Sequence, residues 1–189
     1  KADQIGMLAT VMNALAVSDK LEQLGVETEV FTSITMPQVA PAFTRKDALR
    51  AMDEGKIAVF GGGTGNPIFS TDTASALRAL EIGADAMFKA TMVDGVYDKD
   101  PHKYPDAVKY DTVTIKEVVD KRLAVIDMTA SIMCMENHMP LAVFGLNEEN
   151  SIATLCRDNG LPIVVFDLNE PANIARALQG ENVGTIVRE

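Results

Sequence analysis

The run Phe60-Gly61-Gly62-Gly63-Thr64-Gly65-Asn66-Pro67-Ile68-Phe69-Ser70-Thr71-Asp72 places four glycines within five residues and then two hydroxyls and a carboxylate. Glycines permit positive φ and let backbone N–H groups come close to a ligand, and a following helix start adds its own unpaired amides. The chemistry that suits such a stretch is the holding of an anion, a phosphate above all, by main-chain donors. A tight strand-to-helix turn with Ser70, Thr71 or Asp72 as an ordinary N-cap is the plainer alternative, and the loop alone does not choose between them.

A second polar stretch, residues 90–101, gathers Asp94, Asp98 and Asp100 around Tyr97. It reads either as a solvated turn built on Asp94-Gly95 or as a nucleotide contact, with Thr91 and Asp100 hydrogen bonding and Tyr97 packing on a base. Asp3 and Asp127 both stand where helices are expected to begin. Each is an N-cap by default and a carboxylate facing a ligand otherwise. The two cysteines, Cys134 and Cys156, have no metal-ligand spacing with His102 or His138, and read as small core residues in a reducing cytoplasm.

The elements that must position these residues alternate. Ile5, Leu8, Met12 and Leu15, widened by Val11 and Ala16, mark an amphipathic helix from about Asp3 to Leu24, ended by Gly25. Residues 26–32 follow as a strand with polar alternation, and residues 35–44, with Pro37 and Pro41, as a surface connection. Thr44 caps a helix from about Arg45 to Glu54, and residues 57–60 form the strand feeding the glycine loop. A helix over 74–82, a strand over 86–89, a capping box at Thr114 to Glu117 and a strand over 123–126 come next. Asp127 then precedes a helix opened by Thr129 and Ala130. Such alternation implies βαβ units and a mostly parallel sheet, whose ligands gather at the carboxyl ends of strands. By that rule Asp127 and Asp72 can face one crevice.

With 189 residues and 47% hydrophobic content, one domain spanning 1–189 is expected. A net charge of −10 without a dense Lys/Arg run argues against nucleic acid as a partner. No apolar run approaches a membrane span, and residue 1 does not begin a signal peptide. Residues 132–153 and 154–175 repeat at an offset of 22, with Cys134, Asn137, Pro140 and Phe144 answering to Cys156, Asn159, Pro162 and Phe166. This reads as a duplicated strand-helix unit inside one domain. Residues 161–166 are the better strand of the pair, and residues 184–187 are expected to close the sheet.

Taken together, Gly-Met-Leu-Ala-Thr-Val-Met-Asn at 6–13, Gly-Gly-Thr-Gly-Asn-Pro at 62–67, Lys-Ala-Thr at 89–91, Val-Asp-Gly-Val-Tyr at 93–97 and the Gly-Thr-Ile-Val ending resemble bacterial uridylate (UMP) kinase, of the amino-acid kinase fold. The resemblance covers nearly the whole chain. It implies a three-layer αβα sandwich and transfer of the ATP γ-phosphoryl group to UMP with Mg2+. By matching motifs, Asp3 resembles the aspartate that holds the UMP ribose, and Thr64, Gly65, Asn66, Pro67, Ile68, Phe69, Ser70 and Thr71 resemble the UMP-phosphate loop. Thr91, Tyr97 and Asp100 resemble ATP-site positions, and Asp72 and Asp127 match active-site carboxylates. The resemblance further implies a cytoplasmic homohexamer, activated by GTP and inhibited by UTP. Metal ligands are not assigned by it.

The chain departs from the family's pattern in three places. The Lys-Leu-Ser-Gly strand and the Gly-Gly-Gly-Asn loop that normally precede the first helix are absent, so an N-terminally incomplete fold is expected. Those segments would supply phosphate-binding groups, including a lysine, and losing one such group costs on the order of 10² to 10³ in rate. The family has one strand-Leu-Asn-Glu-helix passage where this chain has two, and Ile68 stands where an aromatic is usual. The alternatives are therefore a catalytically impaired nucleotide-binding or assembly module, and a kinase of the same fold acting on a carboxylate substrate. Thr64-Gly65-Asn66-Pro67 counts against the last.

Overall fold

The computed structural model describes residues 1–123 and 125–145 and the backbone of 163–165 and 185–187. The chain divides into two compact units, one made of Lys1–Phe69 with Gly160–Glu189 and the other of Ser70–Asn159.

In the first unit, helix α1 (Ala2–Gln23), strand β1 (Thr28–Thr32), helix α2 (Arg45–Asp53) and strand β2 (Ile57–Gly61) follow the expected alternation. β1 and β2 pair in parallel, Thr28 opposite Ile57 and Thr32 opposite Gly61. Phe31 is fully buried, stacked 6.0 Å from Phe60, whose ring Phe43 meets edge-on at 5.5 Å. Thr44 caps α2 by accepting the Asp47 amide. The proline-bearing connection is tied back to β1, since Thr32 donates to Pro41 O and accepts from Phe43 N.

The face of α1 that packs inward differs from the one its large apolar residues suggest. Val11, Ala14 and Ser18 are the buried residues, whereas Ile5, Leu8, Met12 and Leu15 are 67%, 45%, 70% and 37% exposed. Close approach of the backbones is the reason. A Cβ on Gly61 would lie 2.9 Å from Val11 Cα and 3.3 Å from Ala14 Cβ, so only small side chains fit beneath the helix there. Ser18 Oγ, in turn, lies 2.6 Å from Thr28 Oγ1 on β1.

In the second unit, helix α3 (Thr71–Ile82), strand β3 (Met87–Thr91), helices α4 (Ile115–Asp120) and α5 (Met128–Glu136) and strand β4 (Leu141–Gly145) surround one core. β3 and β4 pair in parallel, Met87 opposite Leu141 and Thr91 opposite Gly145. Ala76, Ala79, Met87, Val118, Leu123, Ile126, Ala130, Cys134 and Met139 make the core, and burial pushes the Cys134 thiol up, consistent with a packing role. The expected capping box forms in full at Thr114 and Glu117.

The expected strand over 123–126 is corrected by the structure. Arg122 takes φ 50°, Leu123 N–H closes back on Val118 O, and residues 125 and 126 lie in a turn and bend. Leu123 and Ile126 are apolar because they enter the core, not because they lie in a sheet. Strand β5 (Ile163–Val165) and strand β6 (Thr185–Val187) pair antiparallel with each other, Val164 opposite Ile186. Among the described strands β6 pairs with β5 alone, in a two-stranded sheet of its own, so the expectation that residues 184–187 close the parallel sheet is not met there. Apart from β5, the second copy of the 22-residue repeat, with Cys156, lies outside the described residues, as do residues 146–153 of the first.

Candidate functional site

Where β2 ends, the chain enters the glycine loop, and three side chains from elsewhere in the first unit hold it. Thr10 Oγ1 accepts the Gly62 amide at 2.9 Å while donating to Met7 O. Ser33, just past β1, donates its hydroxyl to Gly63 O at 2.7 Å, and its amide donates to Gly61 O at 3.0 Å. Asp3 Oδ2 accepts the Ile68 amide at 2.7 Å. Asp3 is thus in the first turn of α1 and not its N-cap, which is Lys1 without a side-chain bond.

Within the loop, Gly65 N–H donates to Gly62 O and Asn66 N–H to Thr64 Oγ1. Gly65 has φ +81°, and a Cβ there would meet Ser33 O at 2.8 Å, so both conformation and space demand glycine. Among the described residues the amides of Gly63 and Thr64 have no hydrogen-bond partner. Two adjacent unpaired donors on a braced, partly exposed loop form the kind of concavity that takes an anion. Pro67 contributes no donor, and Ile68 and Phe69 are exposed, Ile68 at 91% and with φ 80°.

The second unit brings Asp72 and Asp127 together. Ser70 caps α3 by accepting the Thr73 amide, so Thr71 and Asp72 occupy the first turn, where the helix dipole favours a carboxylate. Asp127 caps α5 by accepting the Ala130 amide. The two helix starts meet through that cap, for Asp127 also accepts hydrogen bonds from Ser70 Oγ and from Thr73 Oγ1 at 3.0 Å. Asp127 N–H donates to Asp72 Oδ2 at 3.3 Å. Burial pushes the Asp127 carboxyl up, but hydrogen bonds from Ser70, the Ala130 amide, Thr73 and the Thr129 amide outweigh it and hold the group below its ordinary value of 3.8. It is therefore ionised at neutral pH.

A residue without an assigned role in the sequence reading completes this cluster. Lys89, in the middle of β3, donates to Asp72 Oδ2 at 2.6 Å and to Val125 O at 2.7 Å. The available signal was its type, a lysine inside an otherwise apolar strand, which needs a partner when it is partly buried. Thr10, Ser33 and Thr73 also went unassigned. Ser33 stands just past the carboxyl end of a strand, where ligand-facing residues are expected.

The loop after β3 folds back on itself. Asp98 N–H donates to Val108 O and Tyr110 N–H to Val96 O. Asp94 braces it, accepting Tyr97 Oη at 2.6 Å and Lys109 Nζ at 2.7 Å, and these two hydrogen bonds, Lys109 first, hold its carboxyl below the usual range. Asp100 accepts from the His102 amide at 3.0 Å and pairs with Lys103. Thr91 lies at the carboxyl end of β3, opposite Gly145. Thr91, Tyr97 and Asp100 thus share a loop without a direct hydrogen bond among them being seen.

Among the described residues no group of three or more His, Cys, Asp or Glu could hold a metal ion, and no helix is long and apolar enough to cross a membrane.

Comparison with known proteins identifies the family of the fold. The model of the amino acid kinase family matches residues 1–145. A UMP kinase from Ureaplasma parvum is similar at 31% identity and a TM-score of 0.76, over 100% of this chain and 71% of that one. A UMP kinase from Bacillus anthracis is 33% identical with a TM-score of 0.67, over 99% and 68%. A uridylate kinase from Archaeoglobus fulgidus is 27% identical with a TM-score of 0.54, over 97% and 70%.

Proposed function

The chain belongs to the amino acid kinase family, and from that premise we propose that it is a UMP kinase, transferring the γ-phosphoryl group of ATP to UMP to give UDP and ADP. The observation that carries the reading is the pair of unpartnered amides, Gly63 and Thr64, on a loop braced by Thr10, Ser33 and Asp3. Phosphoryl transfer asks little covalent work of the protein. It asks for in-line positioning of two anions and for charge stabilisation at the transferring group.

In the first unit, residues 64–69 belong to the UMP-phosphate loop, with the amides of Gly63 and Thr64 as the main-chain donors to the phosphate, and Asp3 takes the ribose. In the second, Ser70 and Thr71 at the start of α3 are assigned to UMP, and Asp72 and Asp127 serve at the reacting phosphoryl. Thr91, Tyr97 and Asp100 contact ATP, Tyr97 through its ring, since its hydroxyl is held by Asp94. Magnesium of this reading comes with the ATP phosphates, as is usual for that cation, and no residue is assigned to it.

The same reading makes the protein a cytoplasmic homo-oligomer responsive to GTP and UTP. Support for the oligomer comes from α1, whose Ile5, Leu8, Met12 and Leu15 form an exposed apolar stripe.

The test is ADP release that depends on UMP. Asp72→Asn is expected to lower kcat on the order of 10² to 10³ with the fold retained, and undiminished turnover would remove Asp72 from the reaction. UMP binding by calorimetry without UDP formation favours a nucleotide-binding module instead. Phosphorylation of a carboxylate substrate in place of UMP favours an amino-acid kinase.

A further inference from the structure

Lys89 stands on the middle of β3, opposite Val143 of β4, and its side chain is about a quarter exposed, 23%, as is that of Asp72, 21%. A lysine so placed gives up part of its hydration, and it is retained only where its donors are matched. Two of its three N–H bonds are matched, by Asp72 Oδ2 and by Val125 O. These acceptors belong to different elements. Asp72 is in the first turn of α3, and Val125 lies in the turn that delivers Asp127 to the start of α5.

We propose that Lys89 is a positioning residue for the carboxylate pair: one ammonium group, anchored on β3, holds the Asp72 carboxylate and the turn carrying Asp127 in register. The geometry around Asp72 supports this. Its Oδ2 accepts from both Lys89 Nζ and Asp127 N–H, so the carboxylate is fixed through one oxygen, and among the described residues Oδ1 has no partner. Without the ammonium, Asp72 keeps only a 3.3 Å bond from an amide, and Asp127 brings a like charge to the same place. The Val125 carbonyl would also lose its donor, at the point where the chain leaves the core residue Leu123 for Asp127. In this role Lys89 acts through Asp72 and the turn carrying Asp127, and not on the substrate.

The inference rests on the kinase reading for its kinetic test. Lys89→Met is expected to lower kcat on the order of 10² while the KM for UMP changes little, because the UMP loop belongs to other residues. Lys89→Arg, which keeps a cation, recovers part of the loss. In the Asp72→Asn background, Lys89→Met should cost clearly less than in the wild type, since the part of its effect that runs through Asp72 is already gone and only its hold on the Val125 carbonyl remains. Equal losses from Lys89→Met in both backgrounds would overturn the proposal and make Lys89 act independently. A crystal structure of the Lys89→Met protein gives a readout that needs no activity: the Asp72 carboxylate is expected to leave the Asp127 amide. If it stays in place, the proposal fails. If the wild-type protein transfers no phosphoryl group to UMP, the kinase reading fails, while that structure still decides the role of Lys89.

Discussion

Asp3, in the first turn of α1, accepts the backbone N–H of Ile68 at 2.7 Å, and Ile68 is a β-branched residue held at φ 80° with its side chain in solvent. A backbone conformation that such a residue avoids is thereby pinned by a carboxylate from a distant part of the sequence. Asp3→Ala releases the pin. The bond is exposed, so stability should fall by no more than about 1 kcal/mol. UMP affinity, measured by calorimetry, should weaken by about tenfold as the loop loses its set position and the ribose its acceptor. Unchanged affinity would separate Asp3 from nucleotide binding.

Gly65 and Gly55 make a matched pair, with φ +81° and +82°, but only Gly65 has a backbone atom, Ser33 O at 2.8 Å, where a Cβ would go. Gly55→Ala should cost the conformational term alone, roughly 1 to 2 kcal/mol. Gly65→Ala should cost more in urea unfolding and also displace the UMP loop. Equal stabilities for the two variants would show that Ser33 yields freely.

The Asp127 carboxyl titrates below its ordinary value of 3.8 in the folded chain, because hydrogen bonds to the carboxylate outweigh burial. A depressed folded value means a stabilisation that is complete above the unfolded value and is lost as pH falls through the folded one. Asp127→Asn should therefore melt lower than the wild type at neutral pH, and the difference should shrink as pH falls through the depressed folded value, below 3.8. Melting temperatures that stay equally far apart however far the pH is lowered would show that ionisation of Asp127 contributes nothing.

The α1 stripe predicts an association surface. Met12, 70% exposed, is its most open member and lies off the buried face of Val11, Ala14 and Ser18. Met12→Glu should shift the sedimentation profile to a smaller species without lowering the melting temperature of the separated chain. A wild-type protein that sediments as a monomer at micromolar concentration would leave the stripe without this role.

The elements legible in the sequence are those decided within a few residues. The capping box at Thr114, the caps at Thr44, Ser70 and Asp127, the parallel pairing of strands that alternate with helices, and the glycine loop after β2 all follow from local hydrogen bonding and hydrophobic spacing. The pairing of Asp72 with Asp127 was open to a topological argument, because both follow the carboxyl ends of apolar segments. Residues 123, 125 and 126, however, lie outside any strand. The structure brings the carboxylates together by another route, a turn whose carbonyl is taken by Lys89.

What tertiary structure alone decided has a common physical cause, competition between long-range contacts for the same apolar or polar group. Leu123 and Ile126 carry a strand's composition, yet core packing bends them out of a ladder. α1 has large apolar residues on one face and small ones on another, and the small face is inward because β2 approaches at Gly61 too closely for anything larger. Lys89 is one charged letter in an apolar run until α3 and the turn before α5 supply its two acceptors. Residue types set which groups need partners, and only the packed chain settles which partners they find.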